Sequence, residues 1–247
     1  MQALRSALFN VAFYLNLVLF LVVFFWLLFC PRSWAMWGLK TWARTSVWLL
    51  RAICGTRLDV RGRHNIPPGA VLIAAKHQSL FETFAVIPLL ADPAMVLKRE
   101  LILIPLFGWF ARKFRMIPVD RGAGTTALKR LIGRAKEAVR AGRQVVIFPE
   151  GTRRAPGAPP DYKPGAVALY LNLGVPCVPL ALNSGLFWPR RKFMRYPGTI
   201  LMEFLPAIPA GEPRAVFSQR LQAALEGKTA ELLAASAQPA RVVDSPD

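Results

Sequence analysis

The chain has 247 residues, 54% of them hydrophobic, with 32 Lys and Arg against 14 Asp and Glu and a formal net charge of +18. That length fits one sizeable domain with a short accessory segment, and so apolar a composition excludes a chain that meets water over its whole length. Apolar and basic together suit an anionic lipid surface; nucleic acid, the other large polyanion, is disfavoured by the apolar N-terminus and by the lack of any nucleic-acid motif. Cys30, Cys54 and Cys177 are three and widely spaced, with no C-x-x-C pair. They predict thiols in a reducing compartment, without a zinc site or a disulfide framework.

In chain order, residues 6–30 carry no charge. A helix of that length reaches roughly 37 Å, enough to cross a bilayer core. The run is too long for the apolar part of a signal peptide and ends in Phe29-Cys30-Pro31-Arg32, not at a small-x-small site. Arg32, Lys40, Arg44 and Arg51 follow it and only Arg5 precedes it. This asymmetry places the bulk of the chain on the cytoplasmic side of a membrane, in a bacterium the inner membrane. Residues 33–53 mix Trp34, Trp37, Trp42 and Trp48 with three cations, which predicts an interfacial helix. The two helices can equally form a hairpin dipping into one leaflet.

Beyond residue 53 short β-like runs alternate with helical ones. Strands are expected over 58–60, 71–75, 95–97, 116–119, 145–148, 177–182 and 200–204. Helices are expected over 80–90, with Pro88 disturbing the end, and over 125–141, 167–173 and 214–235. The alternation predicts an α/β fold: a mostly parallel central sheet flanked by helices, with an N-terminal membrane-associated helical segment. The domains are then 1–53, membrane-anchoring helices; 54–236, the α/β domain; and 237–247, a polar flexible tail.

Two histidines are present. His64 lies in an exposed, turn-like stretch and is assigned no role. His77 follows the strand at 71–75 and precedes a helix, and the C-terminal edge of an α/β sheet is where such folds bind ligands. Glu82 comes five residues later, a poor match along one ideal helix, but within reach if His77 precedes the helix. A carboxylate on one ring nitrogen leaves the other as a base. By itself, His-x4-Glu is a weak signal. Phe148-Pro149-Glu150-Gly151-Thr152-Arg153-Arg154 also follows an apolar strand, and an arginine there can grip a phosphate or lie solvated on an ordinary turn. Lys98 and Arg121 likewise stand just beyond strands, so three strand ends bring cations to one edge. Gly122-Ala123-Gly124-Thr125-Thr126-Ala127 has a dinucleotide-like spacing, but it lies mid-chain, away from a first βαβ unit. No P-loop or G-x-S-x-G elbow occurs.

With these residues in place, the chain resembles the glycerolipid acyltransferase family, most closely its bacterial 1-acyl-sn-glycerol-3-phosphate acyltransferases. Four ordered blocks carry the resemblance: His77-Gln78-Ser79-Leu80-Phe81-Glu82; Met116-Ile117-Pro118-Val119-Asp120-Arg121; Phe148-Pro149-Glu150-Gly151-Thr152-Arg153; and Val175-Pro176-Cys177-Val178-Pro179-Leu180. Lys98-Arg99-Glu100-Leu101, Pro105 and Gly108-Trp109 match the linking stretch. The resemblance implies that 54–236 is an acyltransferase domain, with His77 as general base and Glu82 as its orienting acid. It also implies that Arg121, Arg153 and Lys98 hold the acceptor's phosphate, that Glu150, Gly151 and Thr152 shape the acceptor loop, and that Val175 to Leu180 line the acyl or acceptor site. Glu82 stands where the family usually has aspartate, so the helix or His77 must adjust by about one methylene, ~1.5 Å.

The implied reaction moves a fatty acyl group from a thioester to the sn-2 hydroxyl of lysophosphatidic acid. The partners are membrane lipid and an acyl-carrier protein or CoA thioester as co-substrate, with no metal, no other cofactor and no nucleic acid. Two alternatives stay open: another lysolipid acceptor such as a lyso-ornithine lipid, and a non-catalytic membrane-tethered lipid binder.

Overall fold

The computed structural model describes residues 1–120, 122 and 124–237. Seven strands form one sheet: β1 (Thr56–Arg61), β2 (Val71–Ala75), β3 (Pro93–Lys98), β4 (Ile117–Val119), β5 (Gln144–Ile147), β6 (Cys177–Leu182) and β7 (Gly198–Phe204). Their spatial order is β1-β7-β6-β2-β5-β3-β4. β6, β2, β5, β3 and β4 run parallel, whereas β7 is antiparallel to β6 and carries β1 beside it. Five strands therefore end at one edge of the sheet.

The central strand β2 and its neighbour β6 are apolar at every position because both faces are covered. In β2, Val71, Ile73 and Ala75 enter one core while Leu72 and Ala74 enter the other. The first core lies under α1 (Gln2–Val23), α2 (Arg32–Cys54), α3 (Phe81–Ala85) and α4 (Phe107–Lys113). The second lies under α5 (Gly124–Arg140), α6 (Pro164–Leu173) and α8 (Arg214–Ala237). A single turn, α7 (Ser184–Phe187), follows β6.

All seven expected strands are present, β2 and β6 with the expected bounds and the others shifted by one or two residues at one or both ends. The helix expected over 80–90 is broken: α3 ends at Ala85 and a 3₁₀ turn covers Ile87–Leu89. Pro88 has no N–H to continue an α-helical ladder. α4 was not anticipated, since seven residues after Pro105 are too few to display a period. Of the expected tail, 238–247 lies outside the described residues.

The uncharged N-terminal run does not form one helix to residue 30. α1 ends at Val23, a 3₁₀ turn occupies Phe25–Leu28, and α2 starts after Pro31, whose φ of −52° suits helix entry. The helices return antiparallel: Asn16 Nδ2 donates to Ser46 Oγ at 3.0 Å, and Leu27 packs beside Gly38, where a Cβ would meet Leu27 Cδ1 at 2.7 Å. Phe9, Phe13 and Phe20 bury one stripe of α1 against Trp188, Phe84, Trp42 and Phe110. Each such burial stabilises by roughly 1.5–3 kcal/mol. The opposite stripe exposes Leu4, Leu8, Val11, Leu15, Val18 and Val22.

Candidate active site

β2 ends at Ala75, and Lys76 and His77 turn off the sheet edge. α3 begins four residues after His77, so Glu82 sits in its first turn with its side chain folded back over the loop. Glu82 Oε1 accepts hydrogen bonds from the backbone N–H of Gln78 and of Ser79, each at 2.7 Å, and lies 2.9 Å from His77 Nδ1. Glu82 Oε2 accepts from Ser184 Oγ at 2.7 Å. Glu82 is fully buried. A carboxylate accepts, so in the neutral ring the proton belongs on Nδ1 and the lone pair on Nε2. The extra methylene of glutamate is absorbed in this turn, with the imidazole at ordinary hydrogen-bond distance.

The loop after β5 holds His77 from the other side. Phe148 stacks on the imidazole with ring centroids 4.1 Å apart. Glu150 Oε2 accepts the N–H of His77 at 3.2 Å, and the N–H of Arg154 donates to the His77 carbonyl at 2.8 Å. Both peptide groups of the histidine are thus satisfied by one loop. Gly151 turns that loop at φ 64°, a left-handed conformation that costs glycine little.

Glu150 is buried, and its other oxygen pairs with Lys76 Nζ at 2.9 Å. Lys76 also meets Glu226 of α8 at 2.6 Å, and the Tyr162 hydroxyl donates to the same Glu226 oxygen at 2.7 Å. Burial, reinforced by Glu226, pushes the Tyr162 phenol above its ordinary range, so it remains a donor. Lys76 and Glu226 line a cleft of about 820 Å³ between α8 and residues 157–160, whose lining does not include His77. Glu150 is therefore directed into the scaffold.

Of the other predicted residues, Lys98, Thr152 and Arg153 lie at or beyond the ends of strands that finish at the same sheet edge. Thr152 and Arg153 are half-buried on the loop after β5. The Arg153 carbonyl accepts from Arg190, and its guanidinium has no ion pair among the described residues. Lys98 ends β3, two strands from β2 or about 10 Å across the sheet. It is exposed and paired with Glu100 at 2.7 Å. At the end of β4, Asp120 pairs with Arg99 at 2.7 Å; Arg121 lies outside the described residues. In the fourth block, Cys177 to Leu180 are core residues of β6 beside β2. Burial raises the Cys177 thiol well above its ordinary value, so it is a neutral core group. His64 is exposed in a 3₁₀ turn, the turn-like setting expected for it.

Sequence reasoning missed Ser184, Gln78, Lys76 and Glu226. Gln78 Oε1 accepts the N–H of Gly185 at 3.0 Å, and a Cβ at Gly185 would meet Pro156 at 2.7 Å, so the two loops touch only because glycine is there. Ser184 and Glu226 are 102 and 144 residues from Glu82, and no local pattern marks them.

Chemically, the edge joins an oriented base to a set of cations, an arrangement that can deprotonate an alcohol whose other end is anionic. Comparison with known proteins identifies the family. The family model described as Acyltransferase matches residues 57–183. A 1-acyl-sn-glycerol-3-phosphate acyltransferase of Pseudomonas aeruginosa is 40% identical over 197 residues, 78% of this chain and 77% of that protein. The human 1-acyl-sn-glycerol-3-phosphate acyltransferase alpha is 28% identical over 204 residues, 81% of this chain and 72% of the human one. The crystal structure of the 1-acyl-sn-glycerophosphate (LPA) acyltransferase PlsC from Thermotoga maritima superposes with a TM-score of 0.76 at 19% identity, covering 94% of this chain and 99% of that one, which establishes the shared fold. The chain belongs to the acyltransferase family and is an acyl-transferring enzyme.

Proposed function

We propose that the enzyme transfers a fatty acyl group from an acyl thioester to the sn-2 hydroxyl of 1-acyl-glycerol-3-phosphate, giving phosphatidic acid. The observation that carries this reading is the Glu82–His77 pair at 2.9 Å, clamped by the loop that bears Arg153. His77 Nε2 takes the proton of the acceptor hydroxyl as that oxygen attacks the thioester carbonyl. The tetrahedral oxyanion collapses, the carbon–sulfur bond breaks, and the imidazolium returns the proton to the leaving thiolate. The thioester is already activated, so no protein nucleophile is used. Arg153, together with Lys98 further along the edge and with Arg121, holds the phosphate and keeps the hydroxyl near the base. The donor is the thioester of an acyl-carrier protein or of CoA.

The acceptor lies in a bilayer, and the exposed stripe of α1 with Trp34, Trp37 and Trp48 of α2 supplies the lipid-facing surface. The antiparallel return of α2, and the docking of α1 on the domain from Phe9 to Phe20, favour a hairpin lying in the cytoplasmic leaflet of the inner membrane. The test is labelled acyl transfer to 1-acyl-glycerol-3-phosphate by the wild type and by His77→Ala. A loss of about 10²- to 10⁴-fold in kcat is expected. Equal activity in the two proteins removes the assignment of the base.

A further inference from the structure

Between α7 and β7 the chain reads Pro189-Arg190-Arg191-Lys192-Phe193-Met194-Arg195-Tyr196, three consecutive cations followed by an aromatic residue. No acidic residue occurs between Asp161 and Glu203, so the charge is not offset locally. Arg191 and Lys192 are exposed and make no ion pair among the described residues. Phe193 is 54% and Tyr196 41% exposed, although an aromatic ring gains by leaving water. Arg191 is held at φ 56°, an uncommon conformation for a side chain of that size.

This segment is fastened in place. Arg195 is buried; its Nη1 donates to the carbonyls of Lys192, Phe193 and Met194 at 2.7, 3.1 and 2.9 Å, and its guanidinium lies 4.5 Å over the Trp188 ring. The loop is also tied to α1. Arg195 Nη2 donates to Asn10 Oδ1 at 2.9 Å, the Arg195 N–H to Ser6 Oγ at 2.9 Å, and Asn10 Nδ2 to the Phe193 carbonyl at 3.2 Å. At its other end, Arg190 donates to the carbonyl of Arg153. An exposed basic–aromatic loop is therefore anchored by one side chain to the apolar hairpin and by another to the loop that bears the candidate phosphate ligand.

We propose that residues 190–193 are an anionic-membrane contact: Arg191 and Lys192 meet headgroup phosphates and Phe193 enters the interface, setting the rim of the active site at headgroup depth. This goes beyond the acyl-transfer reading and rests on it only in taking the hairpin as lipid-facing. The occupant is a bilayer and not a soluble acidic protein, because the cations share their loop with exposed aromatics and that loop is fixed to a helix whose free face is apolar. A second basic surface, Lys129, Arg130, Arg134 and Arg140 on α5, lies on the opposite face of the sheet, and among the described residues α5 carries no aromatic side chain.

The test compares partitioning of the full chain onto vesicles rich in phosphatidylglycerol and onto pure phosphatidylcholine vesicles. Wild type should prefer the anionic vesicles, and the preference should fall with salt. Arg191→Asn/Lys192→Gln, chosen because asparagine tolerates positive φ, should lose about 30-fold of that preference, roughly fivefold per charge, with binding to phosphatidylcholine little changed. Lys192→Gln alone should lose about fivefold and covers the case in which the double variant misfolds. Acyl transfer to 1-acyl-glycerol-3-phosphate in mixed micelles, where no anionic bilayer is offered, should be unchanged in both. Undiminished anionic preference in the variants, or none in the wild type, overturns the proposal. So does preference retained with a selective loss of activity on a protein-borne acyl donor, which would assign the loop to an acidic protein. Because vesicle binding needs no turnover, failure of the acyl-transfer reading registers separately, in the micelle assay.

Discussion

His77 and Arg153 stand on loops joined by a backbone hydrogen bond from Arg154, yet their surroundings differ. Around His77 the paired groups are inside the protein: both its peptide groups, the Nδ1 side of the ring, and both oxygens of Glu82 and of Glu150, with Gln78 Nε2 the buried atom nearby that has no partner among the described residues. Along the rim, Lys98 and Arg99 are exposed and Asp120 is half-buried; Lys98 pairs with Glu100, and Arg99 with Asp120. The base is preorganised, so it costs little reorganisation when proton transfer occurs. The rim is solvated, and phosphate must displace water and surface partners there. Positioning of the proton acceptor and capture of the anion are thus separable.

The largest effect expected from breaking this contrast is at Lys76. Lys76→Ala leaves Glu150 and Glu226 facing one another without a cation, and breaking a buried pair in this way costs about 3–5 kcal/mol. Chemical denaturation in detergent reads it; a loss under about 1 kcal/mol would mean that the network is incidental. Next, Glu82→Gln keeps the shape but no longer offers Nδ1 a charged acceptor, and kcat should fall about 10²-fold with KM nearly constant. A matched rise in KM would instead place Glu82 against the substrate.

Arg153→Ala should act in the opposite sense, raising KM for 1-acyl-glycerol-3-phosphate about 10- to 100-fold, the worth of one charge-assisted hydrogen bond, with a smaller change in kcat. An unchanged KM would shift the phosphate to other cations, or the acceptor to a lipid without one. Ser184→Ala removes one hydrogen bond to Glu82 and should cost about 1 kcal/mol of stability and a few-fold in kcat. The smallest effect is one of pH. Burial opposes the charge on Asp92, but the hydrogen bond from Arg32 and the nearby Arg143 hold its carboxyl below the ordinary range. A lowered folded-state value stabilises above the unfolded value, and that stability is lost as pH falls through the lowered one. Asp92→Asn should therefore flatten the acid limb of the stability–pH curve, while leaving the behaviour of the His77 region in place.

Much of the architecture was legible because its signals are local. The run Val71 to Ala75 is apolar throughout, which marks a strand covered on both faces, and the helix at 124–140 shows its period over several turns. Features that depend on a few residues were harder: α4 is too short to display a period, and the turn after Val23 interrupts a run whose composition never changes. The site was legible in part for the same reason. His77, Glu82 and the block from Phe148 to Arg154 each follow an apolar strand, but the lysine next to His77 carries no local sign that it is buried between two carboxylates.

Sequence alone determined the residue types at the sheet edge, the order of strands and helices along the chain, and the apolar surplus at the N-terminus, because propensity and periodicity act over a few neighbours. Tertiary structure decided which loop clamps His77, that Ser184 completes Glu82, that Glu150 turns inward to Lys76, and that residues 190–193 hang between α1 and Arg153. Those contacts join residues scores of positions apart, and only the parallel sheet, by gathering five strand ends along one edge, brings them within a hydrogen bond of each other.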